Sequence, residues 1–293
     1  MHRASLGFSE LPRHQDTFAS PLVQSTGPWL PRSTGSNLTE EIVSFLTRAE
    51  KDDMPVVYLS VGTNAEWSVE LARVVIQAFA DSIHEFRVVW SIKDYQRQGV
   101  LADAGQSVPS NVLMVSWVNQ LKLLESPVVK VFITHCGFGS LQEGLWTGTP
   151  MLAMPMMLES DQITHAAHIR DFLRVGLSFD ARPLQDKITA SSLKSKLSAL
   201  LEDGEANVFA RRAAAYSKQM QSLHGRERAA AMVRAVAEGE IADTWVPLEH
   251  RLPWWQAMSL DIYGVVGVMV AVVGAVRCAC GCYGCFGGKI KVE

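Results

Sequence analysis

The chain has 293 residues, 48% of them hydrophobic and 19% charged, with a formal net charge of −3. Length and apolar content suit one large folded domain or two smaller ones, and exclude a disordered polypeptide. The slightly acidic balance, with no long basic run, argues against nucleic-acid binding as the main activity and gives no field that would steer acidic substrates.

Residues 1–35 are rich in Pro, Ser, Gly and Thr and read as a linker or a truncated N-terminal remnant. The opening MHRASLGFSELPRHQDTFASPLVQ has no apolar core of the signal-peptide kind. From residue 37 onward, strand and helix patterns alternate. VVYLSVG at 56–62 is a buried-strand run, and 66–83 reads as an amphipathic helix with Val69, Val74, Ala78 and Ile83 toward the core. FRVVWSI at 86–92 and NVLMVSWV at 111–118 are further strands. A short helix precedes the strand KVFITH at 130–135, and a helix beginning at Ser140 precedes the strand MLAMPM at 151–156. A helix over 161–175 is expected to stop with Gly176 at its C′ position, followed by a last strand, LSFD, at 177–180. Residues 189–203, 205–222 and 226–240 read as helices. This alternation implies a parallel sheet covered on both faces, a doubly wound α/β, Rossmann-like domain over 36–245. Ligands of such sheets sit at the carboxyl ends of the strands, where Gly62-Thr63 and Gly137-Phe138-Gly139 fall.

A segment approaching a membrane is expected over 246–259, a transmembrane helix over 260–277 and a cysteine-rich tail over 278–293. The run IYGVVGVMVAVVGAV at 262–276 is uncharged and bounded by Asp261 and Arg277. As a helix it spans roughly 22–26 Å, a little short of the ~30 Å hydrocarbon core, and a buried core helix is the alternative. Trp254 and Trp255 suit an interfacial anchor, and Arg277, Lys289 and Lys291 place the tail in the cytosol. The terminal KIKVE matches a dilysine retrieval pattern, and Asn37-Leu38-Thr39 is a possible glycosylation triplet. Cys136 stands alone in the globular part. Cys278, Cys280, Cys282 and Cys285 crowd the tail, where mostly C-x-C spacing after an apolar segment disfavours zinc and S-palmitoylation competes with simple reduced thiols.

The most informative span is FITHCGFGSLQEGLWTGTPMLAMPMMLESDQ, residues 132–162. Its glycine turn brings backbone N–H groups and a helix start toward a phosphate, and its acid–amide pair can grip hydroxyls, so the span suits a nucleotide-sugar. No lysine completes a Walker pattern. Ser140-Leu141-Gln142-Glu143 is equally a capping box, which needs only a helix to cap. Trp117 offers a flat apolar face for stacking, or a core side chain; Gln120 can read a pyrimidine edge. Asp161 also fits a helix N-cap.

This span resembles the signature of the UDP-glycosyltransferases, which include animal UDP-glucuronosyltransferases and plant glucosyltransferases. The match runs through Thr134-His135-Cys136-Gly137, Ser140, Glu143, Gly148, Pro150, Pro155 and Asp161-Gln162. SVGT, with Ser60 and Thr63, and WVNQ, with Trp117 and Gln120, resemble two further family turns. WWQAMSLDIYG at 254–264 looks like the membrane-proximal segment of the animal branch. The chain departs from the pattern at Asn119, where Pro is usual, at Gly139, where the plant branch has Asn, and at His165, where many relatives have Asn.

The resemblance, over roughly residues 20–293, implies the C-terminal, donor-binding half of a GT-B enzyme. It implies that Trp117 stacks on uracil, that Gln120 meets base or ribose, and that Glu143 binds ribose hydroxyls. Ser60, Thr63, His135, Gly137, Gly139 and Ser140 would surround the diphosphate, and Asp161 and Gln162 would bond the donor sugar. The activity implied is transfer of a hexosyl or glucuronosyl group from a UDP-sugar to a small lipophilic acceptor, with no metal or other cofactor. The general base belongs to the family's N-terminal domain, so this chain alone is expected to bind donor without turnover. A regulatory partner that pairs with full-length relatives, and the donor subunit of a split transferase, are the alternatives. The resemblance places the protein in the endoplasmic reticulum membrane, single-pass, with a lumenal domain if a signal peptide lies outside this sequence, and allows homo- or hetero-oligomers.

Overall fold

The computed structural model describes residues 26–30, 37–63, 65–104, 107–157, 161–179, 188–202, 207–240 and 252–284. Six short runs form one sheet: β1 (Val56–Ser60), β2 (Arg87–Ser91), β3 (Val112–Val115), β4 (Val129–Thr134), β5 (Met151–Ala153) and β6 (Gly176–Ser178). All neighbours pair in parallel, in the order β3-β2-β1-β4-β5-β6. Strand side chains alternate between faces, so β1 sends Val57 and Leu59 into one apolar cluster and Val56 and Tyr58 into the other. An irregularity in the β1–β4 register between Val56 and Val57 puts Val129 and Val131 of β4 on opposite faces, although they are two apart.

The helices are α1 (Glu40–Lys51), α2 (Val69–Ala80), α3 (Asp94–Ala104), α4 (Gln120–Leu124), α5 (Phe138–Thr147), α6 (Gln162–Ala167), α7 (Ala190–Leu201), α8 (Val208–Ser222) and α9 (Gly225–Ala237). Leu71, Ala72, Val75, Ile76, Ala78 and Phe79 of α2 and Leu193, Leu197 and Leu200 of α7 fill one cluster. Ile42, Phe45 and Ala49 of α1, Leu141 and Leu145 of α5, and Ala213 and Met220 of α8 fill the other. Both faces of the sheet are therefore covered, as a parallel sheet requires.

Several local expectations are corrected. The helix expected over 66–83 begins at Val69 behind its N-cap Ser68, whose side chain accepts from the Leu71 N–H, and ends at Ala80; Val74 and Ala78 pack on the core as expected, while Val69 and Ile83 are only half-buried. The strand over 111–118 keeps only Val112–Val115, since Asn119 already caps α4 and the intervening residues must turn into that helix. Gly176 does not end a helix. A one-turn π-helix, His168–Phe172, follows α6, Arg174 takes the left-handed conformation at φ 54°, and Gly176 opens β6. Thr39 of the glycosylation triplet is the N-cap of α1, accepting from the Ile42 N–H.

The described residues divide into two compact units, the α/β layers up to Ala230 and a second from Ala231 onward. The second unit contains the short helix α10 (Trp254–Ala257) and the 25-residue helix α11 (Leu260–Gly284). Helix α11 runs seven residues past the expected end of the span at 277. Its window Leu260–Cys278 is long and apolar enough to cross a membrane, and none of it is buried. Cys285, KIKVE and most of the expected 1–35 linker lie outside the described residues.

Candidate functional site

In the observed strand order, chain direction across the sheet reverses between β1 and β4, the place where doubly wound sheets open a crevice at their carboxyl edge. There Ser60 and Thr134 are register partners. From them the chain leaves in two turns, Val61-Gly62-Thr63 and His135-Cys136-Gly137. The His135 ring is wedged between these turns: a Cβ on Gly62 would lie 2.6 Å from its Cε1 and Nε2, and one on Gly137 would lie 2.5 Å from Nε2. Both glycines are thus required by one imidazole, and Gly62 also needs its φ of 75°. Burial pulls the His135 pKa below its ordinary value and favours the neutral ring. Cys136 holds a φ of 69°, unusual for a residue with a side chain, while its N–H donates to Thr134 Oγ1 at 3.1 Å and its thiol is fully buried.

Helix α5 begins at Phe138 with Gly137 as N-cap and no side-chain cap. This corrects the expected start at Ser140 and removes the capping-box reading. Ser140 is the third helical residue, and its Oγ accepts from Gln120 Nε2 at 3.2 Å. The same Nε2 donates to Glu143 Oε2 at 2.8 Å, and Tyr58 donates its hydroxyl to Gln120 Oε1 at 3.2 Å. Gln120 therefore ties the centre of β1 to the first two turns of α5. Burial raises the Glu143 pKa, against the opposing effect of the Gln120 bond. With the cap position taken by a glycine, no side chain covers the opening N–H groups of α5, the arrangement that suits an anion. Gly139 is exposed, and a Cβ there would meet nothing.

Trp117, in the segment that carries β3 into α4, is 68% exposed, which rules out the core reading of this residue. Asn119, in place of the family's proline, caps α4 by accepting from the Lys122 N–H at 3.1 Å. Thr63 is exposed, and its carbonyl accepts from the Lys93 ammonium.

Asp161 takes the N-cap position of α6 without the expected side-chain cap bond. Its carboxylate instead lies 3.7 Å from His165 Nε2, and His165 Nδ1 lies 2.7 Å from the Cys136 carbonyl. His165 is 2% exposed, so it braces Asp161 against the glycine turn from within. Gln162 is buried, with its Oε1 accepting from the backbone N–H groups of Met156 and Met157 at 2.9 and 3.1 Å. It shapes the loop after β5.

Ser60, Gln120, His135, Gly137, Ser140 and Glu143 thus meet around one crevice, and Asp161 is joined to it through His165 and Cys136. Three participants escaped the sequence reading: Tyr58, His165 as a brace, and Lys93. A tyrosine inside a buried strand signals a hydroxyl that must find a partner. Lys93, two residues beyond β2 at the same sheet edge, had no comparable mark.

Fold and crevice together define a doubly wound α/β domain whose switch point carries a helix start without a side-chain cap and the carboxylate of Glu143. The family model described as UDP-glucoronosyl and UDP-glucosyl transferase matches residues 35–292, and the chain belongs to that family. It is 29% identical over 194 residues to anthocyanidin 3-O-glucosyltransferase 1 of Manihot esculenta, covering 60% of this chain and 42% of that protein. It is likewise 29% identical over 190 residues to UDP-glucuronosyltransferase 1A8 of Rattus norvegicus, covering 64% of this chain and 34% of the relative. The chain therefore spans less than half the length of these curated relatives. Among solved structures, Os79 from O. sativa in complex with UDP superposes with a TM-score of 0.57 at 19% identity, covering 69% of this chain and 44% of that one. A UDP-glucose: anthocyanidin 3-O-glucosyltransferase in complex with UDP gives 0.56 at 23%, covering 70% and 45%. At these identities the structural matches establish the GT-B type of fold.

Proposed function

We propose that this domain binds a UDP-sugar at the β1–β4 crevice and serves as the donor half of a UDP-glycosyltransferase acting on a small lipophilic acceptor. The observation that carries this reading is the meeting of the uncapped α5 start with Glu143, held through Gln120 to Tyr58 of β1, at the switch point of the sheet. In this reading the diphosphate lies against the α5 start near His135 and Ser140, the ribose hydroxyls bond Glu143, and uracil stacks on Trp117. Gln120 holds Ser140 and Glu143 in place for them. Asp161, braced by His165, meets the hexosyl or glucuronosyl hydroxyls, and Thr63 rims the phosphates. Developing charge on the departing UDP is stabilised by backbone N–H groups and the helix dipole, with no resident metal assigned a part. Transfer to an alcohol also needs a base to take the acceptor proton, and that group belongs to the acceptor half. Relatives named as glucosyltransferases and glucuronosyltransferases, and solved neighbours holding UDP, support this assignment.

Calorimetric titration of the purified chain with UDP tests the reading. Saturable binding is expected, and Glu143→Gln should weaken it by roughly 10–100-fold, the cost of a hydrogen bond to a charged group. Absence of binding to the well-folded wild type overturns the assignment. The same preparation should transfer no sugar by itself, and measurable turnover would refute the division of labour. Helix α11 is read as a membrane span with its cysteine-bearing end in the cytosol, in the endoplasmic reticulum, where the α/β unit would face the lumen.

A further inference from the structure

Tyr58 lies at the middle of β1 and is 1% exposed, so its hydroxyl has to find a partner inside the protein. It donates to Gln120 Oε1 at 3.2 Å, across 62 positions of sequence. The ring is held independently of that bond, stacked on Phe132 of β4 with centroids 5.0 Å apart and planes 13° from parallel. Removing the hydroxyl alone therefore leaves the ring's packing in place.

Gln120 is pinned on both sides of its amide. Nε2 carries two hydrogens and both are committed, one to Ser140 Oγ at 3.2 Å and one to Glu143 Oε2 at 2.8 Å. An ionised carboxylate only accepts, so it fixes which side of the amide faces α5, and the phenol, donating from β1, fixes the other. The backbone below is fixed as well, because Asn119 caps α4 immediately before Gln120. With both amide hydrogens in use, Gln120 acts through its neighbours. Glu143 keeps its other oxygen, Oε1, clear of hydrogen bonds from the described residues.

We propose that Tyr58 is a positioning residue of the nucleotide site: through Gln120 it sets the Glu143 carboxylate for a vicinal diol, and so determines the preference for a ribonucleotide over one without hydroxyls. The inference rests on the reading of this crevice as the UDP-sugar site. Ser140 and Glu143 stand three residues apart on one face of α5, so a single amide between them holds the diol grip and the first turn of the helix in one frame. Without the phenol, Oε1 of Gln120 loses its partner and the amide its anchor on the sheet. Glu143 is then free to turn toward water, and a diol has to order it again on binding.

The test is calorimetric titration of the full chain, in detergent, with UDP and with 2′,3′-dideoxy-UDP, which keeps base and diphosphate but lacks both hydroxyls. Wild type should prefer UDP by roughly 10–100-fold. In Tyr58→Phe, checked for a cooperative unfolding transition, that preference should fall about 3–10-fold. Gln120→Met interrupts the same chain of bonds without touching β1 and should lose at least as much. The double variant should lose no more than Gln120→Met alone, since Tyr58 acts on Glu143 only through the amide. An unchanged preference in either single variant, or losses that add in the double variant, overturns the positioning role and leaves the UDP reading standing. Folded wild type that binds neither nucleotide overturns that reading and this inference together.

Discussion

His135 owes its place to shape: its ring fills the gap between Gly62 and Gly137, and its Nδ1 is buried without a hydrogen-bond partner. Burial depresses its pKa from the ordinary 6.5. Above 6.5 the ring is neutral in folded and unfolded chains alike and titration adds nothing. As pH falls through the window below 6.5, the unfolded chain takes up a proton that the folded one resists, so stability drops. Urea denaturation of wild type and His135→Gln at pH 7.5 and 5.5 should show the larger acid loss in wild type, and equal losses would contradict a buried neutral ring. The motif alone marked His135, Ser140 and Glu143 as belonging to one place. It could not decide whether Ser140 caps a helix, because the partner that settles the matter, Gln120, lies 20 residues away and reaches it only through the sheet. His165 was legible only as a departure from the family pattern, and its brace between Cys136 and Asp161 depends on tertiary packing.

Between elements, the packing is set by close approaches at Met151. A Cβ on Gly144 of α5 would meet the Met151 Sδ at 2.7 Å, and one on Gly176 of β6 would meet the Met151 carbonyl oxygen at 1.8 Å. A flexible thioether can move and a strand carbonyl cannot. Gly144→Ala should therefore cost about 1–3 kcal/mol, the range of modest overpacking. Gly176→Ala should cost on the order of 4 kcal/mol or more, or prevent folding. Thermal unfolding of the two variants compares them, and equal shifts would argue against this account. Strands β1, β2 and β4 were readable because their β-branched runs are largely buried. Helix α3 was not, since DYQRQGVLADA carries few apolar residues and a central glycine. The over-extended reading of α2 followed isolated valines, where the buried stripe is Leu71, Val75, Ile76 and Phe79.

For the whole molecule, alternation of strand and helix gave the class of fold but not the order of strands, which depends on which crossovers pass over which face. The order β3-β2-β1-β4-β5-β6 is what brings residues near positions 60, 120, 135 and 143 to one edge. Deleting residues 260–284 should move the protein from carbonate-washed membranes to the supernatant while leaving UDP affinity within about twofold; retention in the pellet would count against α11 as the anchor. The wedged imidazole has a consequence for how such a domain can diverge. Since one ring forbids side chains at two separate turns, Gly62 and Gly137 are not independent positions. A lineage that first exchanged His135 for a smaller residue would open a vacancy into which position 137 could grow, while Gly62 would still be held by its positive φ; the reverse order meets a collision at its first step. The three sites form an epistatic unit whose history has a direction.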